Sequence, residues 1–194
     1  LPFDENTKVF CTHAAGVGTH GFSNAYWAVD LATPYSEENA RVYASAKGVA
    51  YVIDDACKEP KGSAAFAETS DCGNGFGNWV KIYHGNGYYT FYAHLDRVLI
   101  KNGALGQQGE SIGVEGWTGK AGHRHVHWSV QKLPGSTEKE WMSRIRREIF
   151  ESVPFDFLAK QGDQIKMVDV TKLQCEHANI NLTHDRQAMF SGLF

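Results

Sequence analysis

The feature that most restricts the fold is a succession of short β-rich runs, separated by glycines, between Gly48 and Val130. Each run is enriched in β-branched and aromatic residues and shows alternation of apolar and polar side chains, as expected for strands. Four runs are predicted as strands: Gly48–Ile53, Asn78–His84, Tyr88–His94 and His125–Val130. The tight-turn sequence Gly85–Gly87 joins the second and third as an antiparallel hairpin. The chain is therefore predicted to be mainly β, with an antiparallel sheet at its centre.

One segment near the C-terminus departs from this pattern. Within Thr137–Phe150, the apolar residues Trp141, Ile145 and Ile149 recur every four residues, with charged residues between them. This spacing predicts an amphipathic helix as a minor insertion in the β fold. Phe155–Leu158 follows as a further strand-like run.

Length and charge restrict the organisation and the partners. A chain of 194 residues is long enough for one packed domain and short for two. The 19 basic and 22 acidic residues give a net charge of −3, which does not favour nucleic acid or an anionic membrane as a partner. No apolar stretch approaches the roughly 20 residues of a membrane span. The N-terminal Leu1–Asp4 lacks the features of a signal peptide, so we expect a mature or trimmed chain.

The four cysteines indicate disulfide bonds. Cys11, Cys57, Cys72 and Cys175 are even in number and include no Cys-x-x-Cys pair. Cys57 and Cys72 bracket a stretch rich in small and polar residues, so we expect them to be bonded to each other. Such a bond implies export from the cytoplasm. The alternative is that all four are buried thiols of a cytosolic protein.

The run Gly122–Trp128 contains His123, His125 and His127 and is the most informative for chemistry. Side chains two residues apart on a strand share a face, so His125 and His127 are predicted to point together, and His123 is able to join them. Two imidazoles on one face form half of a metal site. The alternative is a solvent-facing histidine cluster.

Three further residues complete this hypothesis. His94 ends a predicted strand and could reach the same pocket, although a single histidine there can also be structural. His20 lies in a glycine-rich stretch, and Asp30 follows it inside an apolar run, where burial without a partner would be costly. Metal ligation would offset that cost, whereas the alternative is that Asp30 caps a turn before Thr33–Pro34. Two histidines and one aspartate suit zinc and leave a coordination position for water, as in catalytic sites.

These residues occur in the order His20, Asp30, Tyr92–Leu95, Trp117–Gly119 and His125–His127. The ordered set resembles the lysostaphin/LytM family of zinc endopeptidases over about residues 16–131. The family has a His…Asp pair, a Tyr-x-His-Leu strand and a late His-x-His after a glycine-rich stretch. The resemblance implies a duplicated-hybrid-motif core, sandwich-like and antiparallel, followed by an extension over residues 132–194.

The resemblance also implies roles for individual residues. It makes His20, Asp30 and His127 the ligands of one zinc ion per chain, and His94 and His125 the catalytic histidines. Two departures from the family pattern remain. The wide spacing of the first ligand pair leaves His13 as a rival to His20, and His123 has no required role.

The implied function is zinc-dependent hydrolysis of peptide bonds in bacterial peptidoglycan, by a secreted or periplasmic monomer with a single peptidase domain over residues 1–194. A non-catalytic LytM-like module that binds the cell wall or regulates an amidase is the alternative. Aromatic residues are expected to wall the substrate groove or to pack in the core: Tyr26, Trp27, Trp79 and Trp117.

Overall fold

The computed structural model describes residues 1–4, 7–21, 23–53, 56–59, 71–145, 148–161 and 164–175. The strands are β1 Phe10–His13, β2 Val29–Ala32, β3 Arg41–Tyr43, β4 Gly48–Ile53, β5 Asn78–Gly85, β6 Tyr88–Leu95, β7 Arg97–Val98, β8 Leu105–Gly106, β9 Ser111–Val114, β10 Val126–Lys132, β11 Asp156–Gln161 and β12 Gln164–Asp169. The α-helix of the described part is α1, Glu138–Arg144, and short 3-10 segments occupy Gly18–Gly21, Ser23–Ala25, Cys72–Gly75 and Val170–Lys172.

The strands form three antiparallel sheets. The largest has seven strands in the order β1-β2-β10-β6-β5-β4-β8, a smaller one has the order β3-β9-β7, and β11 and β12 form a hairpin. Every pairing between these strands is antiparallel. The predicted mainly-β, antiparallel architecture with a minor helix is therefore confirmed.

The predicted central hairpin is present, with small differences at the ends of its strands. Both β5 and β6 extend one residue beyond the predicted range, and Gly85 pairs with Tyr88 across the turn. Asn86 and Gly87 both have positive φ, at 52° and 81°, which matches the type of two-residue turn that joins twisted strands. The last predicted strand begins at Val126 rather than His125.

Alternation along the strands separates two hydrophobic clusters. Val29 and Leu31 of β2, together with Val126 and Trp128 of β10, belong to the main core, between the large sheet and the smaller ones. The other face of the large sheet packs under α1 with a second, aromatic cluster: Tyr51, Trp79, Tyr83, Tyr89, Phe91, Ala93, Leu133 and Ile145. The residues that alternate with these core positions, Asp30 in β2 and His127 in β10, therefore lie on this second face.

The helix is shorter than predicted. It begins after Thr137, whose side chain forms a capping box with Glu140, and it ends at Arg144 rather than Phe150. The buried Nζ of Lys81 donates hydrogen bonds to the backbone carbonyls of Ile145, at 2.7 Å, and of Glu148. Lys81 thus binds two carbonyls of the segment that follows the helix, a contact that amphipathic spacing does not reveal. Burial lowers the pKa of Lys81 to about 7.

Two disulfide bonds link distant parts of the chain. The expected bond between Cys57 and Cys72 is present, and a second joins Cys11 of the edge strand β1 to Cys175. The alternative of free buried thiols is therefore wrong. The C-terminal extension also packs on the core, since Phe155 and the β11 residue Phe157 contact the Trp128 ring. None of the helices in the described ranges is long and apolar enough to cross a membrane.

We predict that the Cys57–Cys72 bond contributes about 3 kcal/mol to the free energy of unfolding, because it closes a short loop in the unfolded chain. Replacing both cysteines with serine should lower the midpoint of denaturant unfolding accordingly. The bond between Cys11 and Cys175 spans 164 residues. Replacing Cys11 and Cys175 with serine should therefore lower the free energy of unfolding by more, about 5 kcal/mol, because a longer loop is released in the unfolded chain. An unchanged midpoint in either variant would contradict this account.

Candidate metal centre

The register of three neighbouring strands places metal-binding side chains in one row. Asp30 of β2 pairs with His13 of β1 on one side and with His127 of β10 on the other. Because Val29 and Leu31 face the main core, Asp30 points to the opposite face, where His127 also lies. Asp30 is thus a buried residue in the middle of a strand, and the turn-capping alternative is wrong.

The structure brings His20, Asp30 and His127 together. Oδ1 of Asp30 lies 3.0 Å from Nε2 of His20 and 3.0 Å from Nδ1 of His127. One potential ligand atom from each residue lies within 4.8 Å of the other two, and all three residues are buried. His20 comes from the 3-10 segment Gly18–Gly21, far along the chain from His127.

The hydrogen bonds of His20 leave its Nε2 facing a negative oxygen. Its Nδ1 donates to the carbonyl of Ala14 at 3.1 Å, so in the neutral ring the Nε2 atom carries the lone pair. Burial opposes protonation, but the hydrogen bond and charge of Asp30 raise the pKa of His20. Two acceptor atoms this close require a proton or a metal cation between them.

Asp30 is held in its charged form. Burial by itself would raise its pKa, but the electrostatic interaction with the neighbouring His125 ring and the hydrogen bonds shared with His127 and His20 outweigh burial and hold the pKa of Asp30 well below the usual value. The ring of His127 is packed edge-on against Phe76 and Phe91, with centroid distances of 5.5 Å and 6.1 Å. A buried carboxylate with two imidazoles is a donor set that zinc binds well, so the residues fit this metal.

His94 is oriented by the backbone around it. Its own φ is 63°, in the left-handed region, and its backbone N–H donates to the carbonyl of Phe76. Its Nδ1 donates to the carbonyl of Thr118 at 2.8 Å, which directs Nε2 towards the cleft. Burial and the electrostatic influence of the adjacent His125 and His127 rings hold the pKa of His94 well below the usual value, which favours the neutral ring.

His125 lies beside His94, with a distance of 4.8 Å between the ring centroids. Its Nδ1 donates to the carbonyl of His123 at 2.8 Å, and its Nε2 lies 3.6 Å from Oδ2 of Asp30. Both histidines therefore have Nδ1 fixed by a carbonyl and leave Nε2 to exchange protons. The solvent-facing alternative for the cluster is wrong for His125 and His127, which are buried.

The two remaining histidines also line the cleft. Nδ1 of His13 lies 3.4 Å from Oδ2 of Asp30, and its side chain is 35% exposed, against 1% for His20. The geometry thus favours His20 over His13 as the partner of Oδ1. His123 is partly buried and stacks on His13, with ring centroids 6.4 Å apart.

All six histidines named above open onto one cleft of about 420 Å³. Its lining includes Phe76, which the sequence analysis did not identify, but none of the four aromatic residues expected to form groove walls. Trp79 belongs to the aromatic cluster under α1, and Trp27 packs against the main core. Trp117 borders a neighbouring depression instead.

An ion pair between Arg124 and Glu115 holds together two chain segments that flank the site. Nε of Arg124 lies 3.6 Å from Oε2 of the buried Glu115, and Nη2 donates to the carbonyl of Pro34 at 2.6 Å. Glu115 also accepts hydrogen bonds from the backbone N–H and hydroxyl of Thr33. Burial raises the pKa of Glu115. This network ties the segment after Asp30 to the segment before His125.

Sequence comparison matches residues 25–140 to Peptidase family M23, more than half of the 194-residue chain. The match confirms the resemblance found in the sequence and includes Asp30, His94, His125 and His127, but it begins after His20.

Peptidoglycan DD-endopeptidase ShyC of Vibrio cholerae is 46% identical over 67 residues, which are 32% of this chain and 16% of ShyC. Peptidoglycan DD-endopeptidase ShyA of the same organism is 43% identical over 54 residues, which are 28% of this chain and 13% of ShyA. The matches thus span less than a fifth of either relative. Among solved structures, the M23 metalloprotease pseudoalterin from the deep sea has a TM-score of 0.51 at 14% identity, covering 86% of this chain and 92% of pseudoalterin. This similarity concerns the fold alone.

We predict that Arg124→Ala lowers the free energy of unfolding by about 3 kcal/mol, because it leaves the buried carboxylate of Glu115 without its cation. Chemical denaturation measures the loss. The double variant with Glu115→Gln should be more stable than Arg124→Ala alone, since the unpaired charge is then removed as well. A double variant that is less stable than Arg124→Ala would contradict the ion-pair explanation.

Proposed function

Because the chain belongs to peptidase family M23, we propose that it is a zinc-dependent endopeptidase that hydrolyses peptide bonds in bacterial peptidoglycan. The observation that carries the proposal is the convergence of His20, Asp30 and His127 in a cleft that two further oriented histidines share. A buried metal site beside two groups that can exchange protons is typical of the active site of a hydrolase.

In this proposal His20 Nε2, Asp30 Oδ1 and His127 Nδ1 hold one zinc ion per chain. The lone pair of His20 and the charge of Asp30 face each other, which supports a cation between them. When bound, zinc would lower the pKa of a water molecule and polarise the carbonyl of the peptide bond. The carbonyl of Ala14 keeps His20 in the tautomer that this role needs.

His125 and His94 would move the protons of the reaction. Nε2 of His125 can accept a proton from the attacking water, and the imidazolium formed there is stabilised by the carboxylate of Asp30, 3.6 Å away. His94 stays neutral in the resting site, with an unprotonated Nε2 directed into the cleft. As negative charge develops on the substrate, Nε2 of His94 can take up a proton from water in the cleft and donate it to that charge, while the proton held by His125 passes to the leaving amine.

The substrate and the compartment follow from the relatives and the disulfide bonds. ShyA and ShyC are named as peptidoglycan endopeptidases, which supports cell-wall peptides as the substrate class. Two disulfide bonds fit an oxidising compartment, so we propose a secreted or periplasmic protein. We also propose that residues 1–194 form a single monomeric peptidase domain, with a core at about residues 16–131 and an extension over residues 132–194.

The metal ligands are tested by comparing two histidines of the same segment. His127→Ala should lose both zinc and activity, because it removes a ligand. His125→Ala should keep zinc and reduce turnover about 10²- to 10⁴-fold, because it removes a proton acceptor. Metal analysis after dialysis, together with assays of turnover, measures both effects. His84→Ala is the control, since this partly buried histidine does not line the cleft. A His127→Ala protein that holds one zinc ion per chain would refute the ligand assignment.

The substrate is tested with purified cell walls that carry either direct or glycine-bridged cross-links. The protein should release new amino groups from one of the two wall types, a chelator should stop the release, and added zinc should restore it. Mass spectrometry of the fragments identifies the bond. Binding to walls without release, at full zinc loading, would instead favour the non-catalytic wall-binding or amidase-regulating module.

A further inference from the structure

A β-bulge directs His13 towards the metal site. In the pairing of β1 with β2, Cys11 lies opposite Leu31 and His13 lies opposite Asp30, so two steps along β1 match one step along β2. The extra residue is Thr12, whose hydroxyl donates to the backbone carbonyl of Asp30. Bulges beside functional sites commonly re-aim a side chain. Here the bulge places the His13 ring against the carboxylate of Asp30.

The two oxygens of Asp30 have different neighbours. Oδ1 faces His20 and His127, at 3.0 Å each, whereas Oδ2 faces His13 at 3.4 Å and His125 at 3.6 Å. Nδ1 of His13 is buried and has no hydrogen-bond partner among the described residues. Oδ2 of Asp30, 3.4 Å away, is an acceptor within reach of this Nδ1. A hydrogen bond between the two would satisfy both buried atoms and stabilise the site.

The surroundings of His13 limit the orientations of its ring. Gly18 has a φ of 57°, and a Cβ atom there would lie 3.0 Å from Cδ2 and 3.2 Å from Nε2 of His13. The ring of His20 packs edge-on at a centroid distance of 5.9 Å, and His123 stacks at 6.4 Å. The side of the ring that carries Nε2 thus packs against backbone, while Nδ1 faces Asp30.

We infer that His13 is a positioning residue of the metal site, whose Nδ1–H donates to Oδ2 of Asp30 and keeps Oδ1 facing His20 and His127. This inference rests on the proposed metal ligands. Ala14, the next residue, accepts the hydrogen bond of His20, so the end of β1 orients two of the three ligands. This part of the chain precedes residue 25, where the family match begins.

The test measures the zinc dissociation constant by competition with a chromophoric chelator. His13→Ala should bind zinc about 10- to 100-fold more weakly, as expected for the loss of a group that orients a ligand. His13→Asn should bind within a few-fold of the unmodified protein, because the amide nitrogen of asparagine replaces Nδ1 as a donor. His84→Ala is the matched control. It removes a partly buried histidine that does not line the cleft, and its zinc affinity should be unchanged.

The outcomes separate this inference from the proposed function. If His13→Ala keeps its zinc affinity while His20→Ala loses zinc binding, the role proposed for His13 is overturned and the ligand set stands. Retained binding in His20→Ala would overturn the ligand set itself. Equal weakening in His13→Asn and His13→Ala would also overturn the inference, because a hydrogen-bond donor at this position would then not be what matters. Circular dichroism and thermal unfolding of the metal-free variants establish that each one is folded.

Discussion

The structure is organised around one buried carboxylate. Asp30 lies in the middle of a strand, on the sheet face opposite the main core, where an unpaired charge would be strongly unfavourable. Four imidazole groups surround it: those of His13, His20, His125 and His127. The pairing of β2 with β1 and β10 brings two of these rings to it across the sheet. A shift of one residue in either pairing would turn their side chains to the other face, so the site depends on strand register.

Backbone carbonyls determine which ring nitrogen of three site histidines carries the proton. The carbonyls of Ala14, Thr118 and His123 each accept a hydrogen bond from Nδ1 of a site histidine, so Nε2 is the nitrogen that His20, His94 and His125 turn towards the site. The rings therefore keep a fixed tautomer without further acidic side chains. These carbonyls belong to segments between or at the ends of strands, and the large sheet and the ion pair of Arg124 hold those segments in place. The framework thus sets which nitrogen can bind a metal or a proton.

Local patterns in the sequence predicted much of this arrangement. The strands β4, β5, β6 and β10 and the turn at Asn86 follow from alternation and glycine placement, which depend on near neighbours in the chain. The grouping of His20, Asp30 and His127 followed from motif order. Other features depend on contacts between distant residues, which no local pattern encodes. Among them are the contact of Lys81 with the segment after α1, the bond between Cys11 and Cys175, and the packing of Phe76 against His127.

The central claim is that His20, Asp30 and His127 bind one divalent ion. Anomalous diffraction at the zinc absorption edge, from crystals of the zinc-loaded protein, locates the ion directly. The account predicts a single peak in contact with His20 Nε2, Asp30 Oδ1 and His127 Nδ1. A peak bound by His13 and His123, and out of contact with His20 and His127, would contradict it.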